Sequence, residues 1–195
     1  MNMRFAIFSG NPKETGLCRA MIDAAAEGAR DGGAETATAR LAGVARCRVC
    51  GNGWGSCGED HTCAYGGDGF AEAQSLARSA DAVALITPVY WHECEESLKA
   101  FMDRLRRCES FLRGDAGAGA LNGKPALLVA SPGGSGNGAV SCLAQMERFC
   151  QHTGVKVFDM IVVNRWNSDY KRTAVYQAAR MIAGGRKHGE TVPLG

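Results

Sequence analysis

The chain reads as a doubly wound α/β sandwich, a parallel β-sheet of five strands with helices on both faces. Three observations predict it. Apolar runs of strand length alternate with helical-period stretches from end to end. The run at residues 82–87 is apolar apart from its last residue, as expected of a strand covered on both faces. A length of 195 residues, 46% hydrophobic and 22% charged, suits one domain around one continuous core.

The elements follow in order. Residues 4–9 form a short apolar strand stopped by Ser9-Gly10-Asn11-Pro12. Leu17, Met21, Ala24 and Ala25 then recur at helical spacing until Asp31-Gly32-Gly33 ends the helix, and residues 35–41 fit a second strand. Residues 43–69 have no sustained period and hold eight glycines and four cysteines. A loop this long in a compact domain needs a function or something to tie it down.

A short helix at 70–79 precedes the strand at 82–87. Pro88-Val89-Tyr90-Trp91 leads into a helix whose Leu98, Phe101, Met102 and Leu105 share one face. A Gly-rich connection (114–123) reaches a strand at 126–130 and the loop Ser131-Pro132-Gly133-Gly134-Ser135-Gly136. Val140, Leu143, Met146 and Cys150 line a fourth helix, residues 155–163 form the last strand, and a helix around 175–182 closes the domain. Strands alternating with helices imply a parallel sheet.

Charge excludes two classes of partner. Twenty-two basic residues against 20 acidic ones leave a net charge of +2, which gives no footprint for nucleic acid or an anionic membrane. Arg104, Arg106 and Arg107 sit on one helix beside acidic neighbours and read as a solvated face. The apolar stretch at 5–8 is too short for a signal segment or a spanning helix, so a cytoplasmic location is expected. In that compartment nine cysteines argue for metal, cluster or redox chemistry rather than a disulfide framework.

In such sheets ligands bind beyond the carboxyl ends of the strands, where strand order reverses. The loops after the first, third and fourth strands are therefore the candidates. Ser9 to Leu17 offers hydroxyls, an amide, Lys13 and a helix N-terminus to a phosphate, although a plain turn capped by Thr15 fits the same residues. Pro88-Val89-Tyr90-Trp91 offers an aromatic ledge, or else two core aromatics capping a strand. The loop at 131–138 carries four glycines, which let backbone approach a ligand or merely serve the turn.

Gly10-Asn11-Pro12-Lys13-Glu14-Thr15-Gly16-Leu17 resembles the G-S-P-R-x-x-G-N loop of the NADPH-dependent FMN reductase family, which includes the iron–sulfur flavoproteins. Asn11 stands for Ser, Lys13 for Arg and Leu17 for Asn, and Cys18 sits where Ser or Thr is usual. Thr87-Pro88-Val89-Tyr90-Trp91 and Leu98-Lys99-Ala100-Phe101-Met102-Asp103-Arg104 resemble the family's S-P-V-Y-[FW] and L-K-x-F-x-D-R segments. The resemblance spans most of residues 4–150 and implies a flavodoxin-like fold holding FMN. It implies that Ser9, Asn11, Lys13, Thr15, Gly16, Leu17 and Cys18 surround the phosphate. It also implies that Pro88, Val89, Tyr90, Trp91, Ser131, Gly133 and Gly134 border the ring. Asp103 and Arg104 read as structural or interface pairs.

Cys47-x2-Cys50-x6-Cys57-x5-Cys63 supplies four soft ligands from one loop. Iron–sulfur flavoproteins carry a compact C-x2-C-x2-C-x4–7-C run there, and this chain departs from it by placing Gly53 third and Cys57 four residues later. Three readings stand open: a [4Fe–4S] cluster, free or redox-active thiols, or structural zinc. His61 between two of the cysteines is either a ligand or a solvated loop histidine, and the other five cysteines read as buried small hydrophobes.

The leading function is therefore an FMN-dependent oxidoreductase, relaying electrons between a cluster and the flavin. The alternative within the class is an NAD(P)H-dependent FMN or quinone reductase without a cluster. No side chain is required as acid or base, so no catalytic residue is assigned. The expected partners are a redox protein or small-molecule acceptor and a second copy of the chain, with neither nucleic acid nor membrane. A non-redox alternative is an FMN-binding or zinc-stabilised interaction protein. A phosphatase C-x5-R reading of Cys142 and Arg148 fails, because the pattern places both inside a helix whose N–H groups are already bonded.

Overall fold

The computed structural model describes residues 2–110, 119–186 and 189–190; most of the Gly-rich connection expected at 114–123 lies outside them. Six strands and six helices follow one another as β1 (Arg4–Ser9), α1 (Leu17–Asp31), β2 (Glu35–Arg40), α2 (Ser56–Glu59), α3 (Phe70–Ser79), β3 (Ala82–Tyr90), β4 (Glu93–Cys94), α4 (Glu96–Ser110), β5 (Pro125–Ser131), α5 (Ala139–Thr153), β6 (Lys156–Val162) and α6 (Ser168–Ala183).

Five strands are parallel in the order β2-β1-β3-β5-β6, as the alternating pattern requires. The sixth, β4, is a two-residue strand turned back antiparallel onto the end of β3. The expected third strand therefore runs on through Pro88, Val89 and Tyr90 instead of stopping at Thr87. Val89 and Tyr90 pair with Cys94 and Glu93, and Trp91 and His92 form the hairpin tip with φ of 49° and 68°. Two successive positive φ angles suit the tight turn of a two-residue hairpin.

Strand alternation divides the core between the two faces. Phe5, Ile7, Ala84, Ile86, Leu127 and Val129 face α1 and α6. Ala6, Phe8, Leu85, Leu128 and Ala130 face α3, α4 and α5. On that second face Phe8 stacks on Phe101 with ring centroids 4.9 Å apart, and Phe70 lies 6.0 Å from the same ring. All five cysteines outside the cluster (Cys18, Cys94, Cys108, Cys142, Cys150) are buried. Cys142 and Arg148 lie within α5. Among the described residues no helix is long and apolar enough to cross a membrane.

The loop from 43 to 69 is tied down, and the tie corrects the reading of the arginine run. Arg104 is buried at 2% exposure, not solvated, because its guanidinium fastens both ends of that loop. It donates to Ala45 O (3.2 Å) and Tyr65 O (2.6 Å), pairs with Asp68, and lies 4.0 Å above the Phe70 ring centre. Asp68 in turn accepts the N–H groups of Ala45 and Phe70. Further along α4, Arg107 donates to Gly53 O and stacks 4.9 Å from Trp54. From α3, Arg78 and Gln74 both donate to His61 O, while Arg78 pairs with the buried Glu109. His61 is only part-exposed, with a buried Nδ1 that meets no partner among the described residues. The loop also contains α2, a single turn that the sequence pattern did not signal.

Burial alone would raise the Asp68 carboxyl, but the Arg104 guanidinium and the N–H groups of Ala45 and Phe70 outweigh it and hold it below the ordinary carboxylate range. Such a group stabilises the fold above its unfolded-state value, and that contribution fades as pH falls through its folded-state value. Asp68→Asn is expected to cost about 3 kcal/mol at pH 7, the scale of breaking a buried pair. Urea unfolding of both proteins between pH 7 and pH 3 should show the gap narrowing with acid; a gap independent of pH would remove the ion pair as its cause.

Candidate functional site

Strand order reverses between β1 and β3, and the crevice opens there, above the carboxyl ends of the sheet. Its mouth is set by a knot of small contacts. Gly10 donates its N–H to Ile86 O at 3.1 Å, and a β-carbon on Gly10 would sit 2.9 Å from Leu98 Cβ and 3.0 Å from both Glu95 Oε2 and Thr87 Oγ1. Only glycine lets the first loop come this close to the start of α4. Glu95 caps that helix, its Oε2 accepting the N–H groups of Ser97 and Leu98 and the Ser97 hydroxyl, while its own N–H donates to Thr87 Oγ1 at 3.1 Å. Sequence reading did not single out Glu95. Its signal was an acidic residue immediately before a helix with Ser97 in its first turn.

The first loop is pre-folded. Ser9 Oγ accepts the Asn11 N–H at 3.1 Å, Asn11 Nδ2 donates to Lys13 O at 2.6 Å, and the Lys13 N–H donates back to Asn11 Oδ1 at 3.3 Å. Thr15 does not cap α1. The N-cap is Gly16 at φ 92° and ψ −170° with no side-chain cap, which leaves the first-turn N–H groups facing the crevice. Nothing lies within 4 Å of where a Gly16 β-carbon would stand. The helix dipole and this open space together make an anion cradle.

One cleft of about 1020 Å³ gathers most of the expected residues: Asn11, Lys13, Thr15, Gly16, Leu17 and Cys18 from the first loop, Pro88 and Tyr90 from β3, and Ser131 and Gly133 after β5. It does not gather four others. Ser9 shapes the turn and lines a neighbouring depression, and Val89 turns into the core beside β4. Gly134 lies outside the wall, and Trp91 is 96% exposed at the hairpin tip. Two contacts hold that hairpin on α5: Cys94 N–H donates to Gln145 Oε1 at 3.0 Å, and Cys94 Sγ lies 3.5 Å from Cys142 Sγ.

The donor set suits a flat, phosphorylated cofactor. Ser131 lines this cleft, and its buried Oγ lies beside the Cys18 thiol. Nothing stands within 4 Å of a β-carbon on Gly133. Tyr90 and Pro88 supply an apolar wall. Burial pushes the Cys18 thiol up to about 12, with the Glu95 carboxylate adding to the effect, so at neutral pH it is a neutral wall residue and not a nucleophile.

The four clustered cysteines line one small cavity with Cys108 of α4, walled by Arg104 and Arg107. Arg104 Nη2 lies 3.3 Å from Cys63 Sγ. Burial and the nearby Cys57 and Cys63 push the Cys108 thiol up to about 12. Cys108 was read from sequence only as a buried hydrophobe, since nothing in the pattern linked it to the loop. The cavity that these residues line has a volume of about 10 Å³, room for one water. Among the described residues no three His, Cys, Asp or Glu side chains converge closely enough to hold one metal ion.

Comparison with known proteins supplies the family. A protein of Methanosarcina thermophila named iron–sulfur flavoprotein is 32% identical over 166 residues, 83% of this chain and 77% of that protein. An NAD(P)H:quinone oxidoreductase from Methanothermobacter marburgensis superposes with a TM-score of 0.69 at 18% identity, covering 98% of this chain and 100% of that one. An NADH:FMN oxidoreductase in its apo form gives 0.67 at 17% identity, with 93% and 89% covered. The flavodoxin-like fold is common to them, and the family description NADPH-dependent FMN reductase matches residues 3–170. The chain belongs to the NADPH-dependent FMN reductase family and is a flavin-dependent oxidoreductase.

Proposed function

We propose that this chain holds FMN across the β1/β3 crevice and passes electrons from a nicotinamide donor to a protein or small-molecule acceptor. The observation that carries the reading is one cleft that gathers an uncapped, glycine-started helix, the apolar Pro88 and Tyr90, and Ser131 with Gly133. In this reading Asn11, Lys13, Thr15 and Gly16 orient the phosphate, with Leu17 and Cys18 closing the space beneath it. Pro88 and Tyr90 exclude water from one side of the ring while Ser131 and Gly133 meet its polar edge. FMN, when bound, supplies hydride and single-electron chemistry, and the protein supplies orientation and electrostatics.

The finer reading is that Cys47, Cys50, Cys57 and Cys63 carry an iron–sulfur cluster in electron exchange with the flavin. Its support is the donor set: thiols on one cavity, with two guanidiniums to offset thiolate charge, in a chain related to an iron–sulfur flavoprotein. A cluster requires the loop to spread, since the cavity they line has a volume of only about 10 Å³. That small volume is the specific observation favouring the rival reading, a reductase that works without a cluster.

Two measurements test these readings. Titration of apoprotein should show Tyr90→Ala weakening FMN binding about tenfold, the scale of a lost aromatic contact plus its apolar area. Lys13→Ala should weaken it by a similar factor, and Trp91→Ala should stay within about threefold because its ring leaves the cleft. A large Trp91 effect with a silent Tyr90 would invert the assignment of the ring wall. Separately, anaerobically purified protein should contain iron and sulfide in near-equal amounts, and Cys57→Ser should lose most of both while keeping FMN. Wild-type protein free of iron and sulfide but fully reducible by NADPH would end the relay and leave the simple reductase.

A further inference from the structure

The cleft is larger than its flavin part. Beyond the phosphate cradle it continues as a groove between α1 and α6, floored by Ala20, Met21 and Ala24. At one end the helices touch: a β-carbon on Gly28 would lie 2.1 Å from Tyr176 O, so backbone meets backbone there. From Ser168 to Tyr176 the groove therefore runs about 12 Å, at 1.5 Å per helical residue, from an open mouth to a closed foot. The Tyr176 hydroxyl donates to Asp31 Oδ2 at 2.7 Å, which fixes the ring as the end wall.

The groove carries charged side chains of both signs along its exposed rim. Arg165 and Arg172 border it, and neither forms an ion pair among the described residues. Glu27 and Asp169 line the same groove, so it offers two guanidiniums and two carboxylates above an apolar floor. Guanidiniums match phosphate oxygens, carboxylates accept ribose hydroxyls, and an apolar floor takes a flat base. That combination is the chemistry of a nucleotide.

We propose that the α1–α6 groove holds the adenine-nucleotide half of the nicotinamide donor, with Arg165 and Arg172 as its phosphate ligands. The proposal rests on the reading that this chain's flavin is reduced by such a donor. Continuity with the flavin cleft is what allows one extended molecule to occupy the groove while its nicotinamide reaches the ring. Both side chains are exposed, so their replacement leaves the core untouched.

The test uses FMN-loaded protein and two probes that cannot reduce flavin, ADP and 2′,5′-ADP, titrated by calorimetry. Wild-type protein should bind at least one of them, and Arg165→Ala/Arg172→Ala should weaken it at least tenfold. FMN affinity should be unchanged, and Arg165→Lys/Arg172→Lys should recover part of the loss. The same double Ala variant should raise the NADPH concentration for half-maximal flavin reduction by a similar factor without changing the saturated rate. Binding of neither probe, or equal binding to wild type and variant, overturns the assignment. So does a variant that loses FMN, or tighter retention of FAD than of FMN by wild type, since either gives the arginines to the flavin. Failure of the underlying reading looks different: a protein that binds the probes through these arginines while NADPH leaves its flavin oxidised.

Discussion

The reversal of strand order at β1/β3 is the constraint on which the site depends. Where successive crossovers leave the sheet in opposite directions, the loops after β1 and β3 part and a crevice opens. Gly10 then decides how wide it is. Its missing side chain lets the first loop lie against Leu98, Glu95 and Thr87, and Glu95 ties that contact to the first turn of α4. The first loop and the start of α4 are therefore set by one knot, and a change at Gly10 moves both.

A second constraint keeps the long loop on the domain. Arg104 reaches residues near both ends of the 43–69 segment, and Asp68 answers it while capping α3. Between those ends the loop is held by Arg107 on Gly53 and Trp54, by Arg78 and Gln74 on His61, and by Cys57 buried in the core. Ends fastened by one buried guanidinium keep the register of this long segment on the core.

Much of this was legible in the sequence, for identifiable reasons. Run length found the central strands because burial on both faces demands apolar runs such as 82–86, and the alternation of strands with helices placed the more exposed edge strands β2 and β6. They missed the two-residue β4 because so short a pairing leaves no period, and they ended β3 early because Pro88 looks like punctuation, although its ring tolerates a strand end where β3 leaves the sheet. The residues of the first loop and Tyr90, which line the cleft, were legible as residue types beyond the strand ends. That the Trp91 ring stands outside the cleft was not, because alternation cannot say that two positive φ angles will make a hairpin tip there. Arg104 was misread because adjacent charges on a helix look alike in sequence, and only the fold shows that one of them faces Asp68. Glu95, Cys108, Arg165 and Arg172 come to their places through tertiary juxtaposition, which no local pattern encodes.

The arrangement also separates the ends of the proposed electron path. The thiol loop packs with α3 and α4 on one face of the sheet, through Val44, Cys57 and Cys63. The groove proposed for the donor belongs to α1 and α6 on the opposite face, and the crevice lies at the carboxyl edge between them. A donor seated between α1 and α6 and an acceptor approaching over the cysteine loop would then contact different surfaces and need not exclude one another. With both faces already buried against helices, the edge of the sheet is the one place open to both, which is where the strand order puts the cleft.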